Sequence, residues 1–248
     1  MPERRATQSL VDQGDAADPG GGSSRLPRLK PLKAHPQSLT EMVADSIRDA
    51  IMSREFPPGT RITEAMLAAQ LGVSKTPVRE ALLRLQYIGV MEPDGPRGGR
   101  IVAASVKAIV DAYQIRETLE VQAARLAASH ATEKDIAEIN KASVESTQAA
   151  AGGQVELFRK WDRRFHHAVA DAAGNERLAE MIRDALLLTW TLRRRDVPLA
   201  DDSLECAKHH EAIAKSIANR RAEAAAEAMS VHISHVRDIV VAAFPSKA

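Results

Sequence analysis

The segment Leu67 to Leu85, LAAQLGVSKTPVREALLRL, leaves this chain few ways to fold. Thr63 is placed to accept a backbone hydrogen bond as the N-cap of a short helix, whose apolar residues Met66, Leu67 and Leu71 make one buried stripe. Gly72 stops that helix, since glycine takes the left-handed conformation that a helix C-terminus prefers. Ser74 caps a second helix, and Pro77 falls in its first turn, where a missing N–H breaks no intrahelical bond. With only Gly72, Val73 and Ser74 between them, the two helices meet at a tight turn. On the second, Val78, Ala81, Leu82 and Leu85 repeat at i, i+3, i+4 and i+7 and must face a core. Lys75, Thr76 and Arg79 are left facing outward near its N-terminal end, where the helix dipole also attracts phosphate. A small domain sets a helix into the DNA major groove in this way.

The flanking residues complete the module. Val90 to Glu92 reads as a short strand, Pro93 to Gly99 as a turn, and Arg100 to Ala103 as a returning strand, so Arg97 and Gly98 sit at a hairpin tip. Upstream, Ser38 with Glu41 fits a capping box for a helix to Met52, with Met42, Val43, Ile47, Ala50 and Ile51 as its apolar face. This is a winged helix-turn-helix. A helix-turn-helix pattern alone also fits a plain helical hairpin; the basic, glycine-rich wing favours DNA. The basic footprint is local. The chain is formally +1, while residues 75 to 100 hold Lys75, Arg79, Arg84, Arg97 and Arg100 against Glu80, Glu92 and Asp94. Affinity grows with the number of phosphates neutralised, so tight binding calls for a second copy of the chain.

The run LGVSKTPVREALLRLQYIGVMEPDGPRGGRIV resembles the DNA-binding domain of the GntR family of bacterial transcription regulators. The resemblance implies that Ser74, Lys75, Thr76 and Arg79 contact double-stranded operator DNA and that Gly98 on the wing approaches the minor groove, with Arg97 beside it. One departure stands out. A DNA-contacting arginine of some members is Ala65 here, so that contact is not expected.

Residues 1–36 hold Pro19, Gly20, Gly21, Gly22, Pro27, Pro31 and Pro36 with few apolar residues, and are expected to be a disordered arm. Its Arg4, Arg5, Arg25, Arg28, Lys30 and Lys33 can brush DNA or simply keep the arm solvated. The sequence has no apolar run of the ~18 residues that a membrane span needs and no apolar signal-peptide core. A single cysteine, Cys206, allows no internal disulfide and agrees with a cytoplasmic protein.

From Ser105 onward strand signals vanish and 3.6-residue periodicity dominates, so helices are expected over 105–129, 132–151, 154–173, 175–196, 201–219 and 221–244. The fold class is therefore mainly α: a winged helix-turn-helix over 37–103, then an antiparallel all-helical bundle over 104–248. Within the bundle, Asp162 and His166 are spaced i, i+4 on a face shared with Phe158, Phe165 and Val169. His210 shares a stripe with Ile213 and Ile217, and His232 with Ala225, Ala228, Met229 and Val236. Three histidines and a carboxylate can thus converge as ligands of a first-row divalent ion such as Zn, Ni or Mn. They can equally be hydrogen-bonded core residues, and His235, a turn beyond His232, competes for the same assignment. Arg193, Arg194 and Arg195 read as a solvated face or an interface.

The stretches VKAIVDAYQIRETLEVQAARLAA, DRRFHHAVADAAGN and HEAIAKSIANRRAEAAAEAMSVH resemble the effector domain of the FadR-type subfamily of GntR regulators. In its metal-binding members a D-x-x-x-H pair and two later histidines hold a divalent ion, and these positions fall on Asp162, His166, His210 and His232. The same likeness implies a small organic acid as effector, with Arg116 as the candidate cation for its carboxylate; a pairing of Arg116 with Glu120 at i+4 is the plainer alternative. The expected function is a cytoplasmic homodimeric regulator, a repressor released from a pseudo-palindromic operator by that acid. The rivals are a metal-dependent enzyme with an appended DNA-binding domain and a sensor for which the ion alone is the signal.

Overall fold

The computed structural model describes residues 39–53, 55–193 and 200–244. Ser38, the arm over 1–36, Arg194, Arg195 and Pro198 lie outside them. Three helices and three short strands come first: α1 (Leu39–Met52), β1 (Arg61–Thr63), α2 (Glu64–Leu71), α3 (Lys75–Ile88), β2 (Met91–Pro93) and β3 (Gly98–Ile101). Thr63 Oγ1 accepts from the Met66 amide, and Gly72 closes α2 at φ 66°, both as the sequence reads. Ser74 occupies the cap position of α3, with its side chain making no cap bond, so the turn is set by its extended backbone. Val78, Ala81, Leu82 and Leu85 are buried against Val43, Ala44, Ile47 and Ile51 of α1. Met42 is not part of that face; it is 56% exposed, and Ala44 takes the place expected for it.

Strand β1 is the one element here that the sequence pattern does not announce. Three residues, Arg-Ile-Thr, are too few for a period-2 signal. β1 pairs antiparallel with β3, which pairs with β2, giving the order β1-β3-β2. Ile62 is fully buried and ties the sheet to the helices.

Six helices follow: α4 (Val106–His130), α5 (Glu133–Ala151), α6 (Val155–Ala172), α7 (Glu176–Leu192), α8 (Ala200–Ala218) and α9 (Ala222–Ala242). Their starts have local causes. Ser105 and Asn175 accept from amides three residues on, and Thr132 with Asp135 forms a reciprocal capping box. Small side chains let these helices approach closely, and the main bundle core is accordingly built from many alanines around Phe158, Phe165, Ile139, Ile213 and Met229. Helix α7 belongs to both halves. Leu187 is buried in the winged-domain core, Leu188 packs against both cores, and Leu192 is buried in the bundle. Arg84 of α3 also reaches Asp184 of α7 at 4.0 Å. No helix of the described residues is long and apolar enough to cross a membrane.

The close approach of β1 to β3 rests on Gly98, where an added methyl would run into the Ile62 carbonyl oxygen. Gly98→Ala should therefore destabilise the winged domain by about 1–3 kcal/mol, read by chemical denaturation. An unchanged midpoint would mean that β1 moves aside freely.

Candidate metal centre and nucleic-acid interface

On the winged domain, Ser74, Lys75, Thr76, Arg79 and Arg97 are exposed and Gly98 is half-buried. Lys75 and Arg97 line a cleft of about 360 Å³ with Arg61, Thr63, Glu64, Ala65, Asp94 and Pro96. Arg61 comes from the unexpected strand and faces Asp94 at 3.5 Å; Arg100 also binds Asp94, at 2.8 Å. Arg79 is not a bare cation. Its Nε and Nη2 donate to the two carboxylate oxygens of Glu64 at 2.7 and 3.0 Å, in the fork geometry that suits a guanidinium. The Glu64 side chain is 5% exposed and that of Arg79 56%, so a buried carboxylate at the start of α2 fixes the root of an outward arginine. The hydrogen bond from Arg79 lowers the Glu64 pKa.

The bundle brings Asp162, His166, His210 and His232 together. One donor atom from each lies within 4.8 Å of all the others, and all four residues are buried. Asp162 and His166 share one face of α6, His210 comes from α8 and His232 from α9. Asp162 Oδ1 lies 3.7 Å from His166 Nε2 and 3.5 Å from His210 Nε2, and the Nε2 atoms of His166 and His232 are 3.2 Å apart.

The ring nitrogens facing away from the cluster decide what faces in. The Ser146 hydroxyl donates to the Ser143 carbonyl at 2.7 Å, so toward His210 Nδ1, at 3.1 Å, it offers only a lone pair. His210 Nδ1 therefore carries the hydrogen, and its Nε2 presents a buried lone pair with no partner in the protein. His166 Nδ1 lies 2.5 Å from the Glu120 carboxylate, so when the ring is neutral its hydrogen sits on Nδ1 and the lone pair on Nε2. A carboxylate or hydroxyl behind each imidazole is how ligating histidines are oriented. The neutral His210 ring with its inward lone pair, a His166 ring that Glu120 orients and that gives up its proton on ligation, a third ring beside them and an ionised carboxylate fit a divalent ion of the Zn, Ni or Mn class.

Arg116 is fully buried on α4. Its Nε donates to Glu120, its Nη2 donates to His166 Nε2 at 2.8 Å, and its Nη1 has no partner in the protein. The pairing with Glu120 is thus present, and one donor remains spare. Arg193 departs from the solvated reading. It is 7% exposed, its Nε donates to Tyr113 Oη at 2.8 Å, and Arg193 and Arg116 each lie within 6 Å of the same Tyr113 ring. Sequence reasoning named Glu120 as a partner of Arg116 but missed its second contact, to His166 on α6, and missed Ser146 altogether. Neither contact has a signal in local spacing. Outside the cluster, His167 and Arg163 both pack on the Trp190 ring.

Burial works against charge on every one of these groups. Against it, Arg116 and His166 pull the Glu120 pKa down to about 2. Asp162 is held well below the usual carboxylate range by His166, Arg193 and His210. Burial pushes His210 down to about 3 and His232 well below its ordinary value. His166 goes the other way: burial lowers it, but Glu120 and Asp162 together more than offset this and raise it.

The fold and these two sites define a winged helix-turn-helix protein joined to an all-helical domain with a buried cluster suited to metal. The chain belongs to the GntR family of bacterial regulatory proteins, whose family model matches residues 39–100, and an FCD domain matches residues 111–235. It is 35% identical over 150 residues to the Nta operon transcriptional regulator of Aminobacter aminovorans, covering 58% of this chain and 71% of that one. It is 31% identical over 199 residues to the probable D-xylose utilization operon transcriptional repressor of Paenarthrobacter nicotinovorans, covering 77% and 86%. Among solved structures, E. coli McbR/YncC shares the fold with a TM-score of 0.70 at 24% identity, covering 80% of this chain and 95% of that chain.

The neutral histidines give the metal-free chain a defined pH response. His210 titrates near 6.5 when unfolded and about 3 when folded, so the unfolded state binds more protons between these values and stability falls as pH falls. The raised His166 contributes fully below its unfolded value and is flat in this window. The denaturation midpoint of metal-stripped protein should therefore drop from pH 6.5 to 4.5, above most carboxylate titration. A constant midpoint would mean that His210 is not held neutral.

Proposed function

We propose that this chain is a cytoplasmic, ligand-responsive transcription regulator, a repressor that a small organic acid releases from its operator by binding at a divalent-metal site. The observation that carries the reading is the buried donor set Asp162, His166, His210 and His232, with the His210 Nε2 lone pair unpartnered at its centre. A bound divalent ion would supply positive charge and open coordination positions for a carboxylate. Residues 37–103 then read DNA and residues 104–248 sense the acid.

Arg116 links ion and acid. Its Nη2 occupies the His166 lone pair that ligation needs, so Arg116 must give up this bond when His166 serves as a ligand. Nη1 already lacks a partner, and a guanidinium with free donors beside a cation suits a carboxylate. Helix α7 supplies the route to DNA. Arg193, which follows its last turn, touches Tyr113 near the cluster, while Leu187 lies in the winged-domain core. A shift of α7 with effector bound would change how the winged domain is held, and so which of two states is favoured. Two copies of the chain, each presenting Ser74, Lys75, Thr76, Arg79, Arg97 and Gly98, read the two halves of a pseudo-palindrome.

The test is a titration of purified protein against operator DNA, with and without candidate acids and with and without a chelator. Release of DNA by an acid, only in the metal-loaded protein and without turnover of the acid, is the expected result. Turnover would replace this reading with a metal-dependent enzyme, and DNA affinity that follows metal alone would replace it with a metal sensor. Arg79→Ala should weaken operator binding by about 1–3 kcal/mol, and unchanged binding would remove Arg79 from readout. His210→Ala should lower metal content while leaving DNA binding measurable; undiminished metal would take His210 out of the site.

A further inference from the structure

A second group of histidines adjoins the buried cluster on its solvent side. His209 of α8 and His235 of α9 hold their rings at right angles with centroids 5.0 Å apart, and His209 also meets the ring of His232 at 5.8 Å. Exposure grows along this row. The His232 side chain is fully buried, that of His209 is 19% exposed and that of Glu205 is 46% exposed.

The unusual feature is where the nitrogens point. His209 Nδ1 and His235 Nε2 are both buried, and neither finds a partner in the protein. On the other edge of the His209 ring, Nε2 faces Glu205 Oε1 at 3.9 Å. That distance is too long for a hydrogen bond, but the negative charge on that side favours the tautomer with hydrogen on Nε2 and the lone pair on Nδ1, the inward atom. Buried polar atoms are normally satisfied, and these two unpartnered nitrogens belong to rings only 5.0 Å apart on α8 and α9, near enough for one ion to serve both. Neither residue belongs to the four-ligand centre, and two core histidines serving only to pack would gain nothing from leaving both nitrogens bare.

We propose that His209 and His235 form an outer divalent-ion site, through Nδ1 of the first and Nε2 of the second, with water completing the coordination. Imidazole ligands select borderline ions such as Ni²⁺, Co²⁺ and Zn²⁺ over Mg²⁺ and Ca²⁺. Two protein ligands against four make it the weaker site of the pair, and one that exchanges its ion with solvent. Its ligands are distinct from those of the buried centre, so each site can be removed separately.

Isothermal titration of the metal-stripped full-length chain with Ni²⁺ tests this. Two binding classes are expected, each of one ion per chain. His235→Ala, and separately His209→Gln, should lose the weaker class and keep the tighter, which also reports that the variant is folded. His210→Ala should do the reverse. A single class that disappears in His210→Ala overturns the outer site while leaving the buried one standing. A second class that survives both His235→Ala and His209→Gln overturns it too. A weak class lost in those two variants, without any tight class, sinks the buried-ion reading and leaves the outer site in place.

Discussion

Everything in the helical half is arranged around the cost of keeping charge away from water. Arg116, Glu120 and Asp162 sit among three imidazoles with almost no exposure, and an isolated charge there would be far less stable than in solvent. The bundle holds them by mutual contact: Glu120 grips both Arg116 and His166, and Asp162 faces His166 and His210. Removing one member strands the others. The alanine-rich packing of α4, α6, α8 and α9 follows, since small side chains bring four helices near enough for side chains of ordinary length to meet at one point.

The winged domain manages charge differently. Its cations lie at the surface, and most are paired locally, Arg61 and Arg100 with Asp94, and Arg79 with Glu64. Helix α7 joins the two regimes, because Leu187 and Leu192, less than two turns apart, are buried in different cores. Neither core is complete without it.

The legible parts of the sequence are those set by local chemistry. Helix limits followed from caps such as Thr63, Thr132 and Asn175, and the inward face of α6 from the spacing of Asp162, His166 and Phe165. The illegible parts depend on partners remote in the chain. β1 is three residues long and exists because β3 pairs with it. Ser146 orients His210 across 64 residues, and Glu64 meets Arg79 across 15. Arg193 sat in a run of three arginines that looked like solvated charge. Its burial depends on Tyr113, 80 residues away, which no spacing within α7 could reveal.

The Glu64 carboxylate under Arg79 has a consequence for how such a protein searches a genome. Attraction to DNA of any sequence scales with the uncompensated positive charge that a face presents. By cancelling the charge of Arg79 at its root, Glu64 reduces that indiscriminate attraction while leaving hydrogen-bond donors on the outward edge of the guanidinium. With Arg79 in the DNA-reading role proposed for it, time spent on wrong sites would fall and the gap between right and wrong sequence would widen, at the cost of a weaker absolute grip. A small net charge on this surface is then a contribution to selectivity.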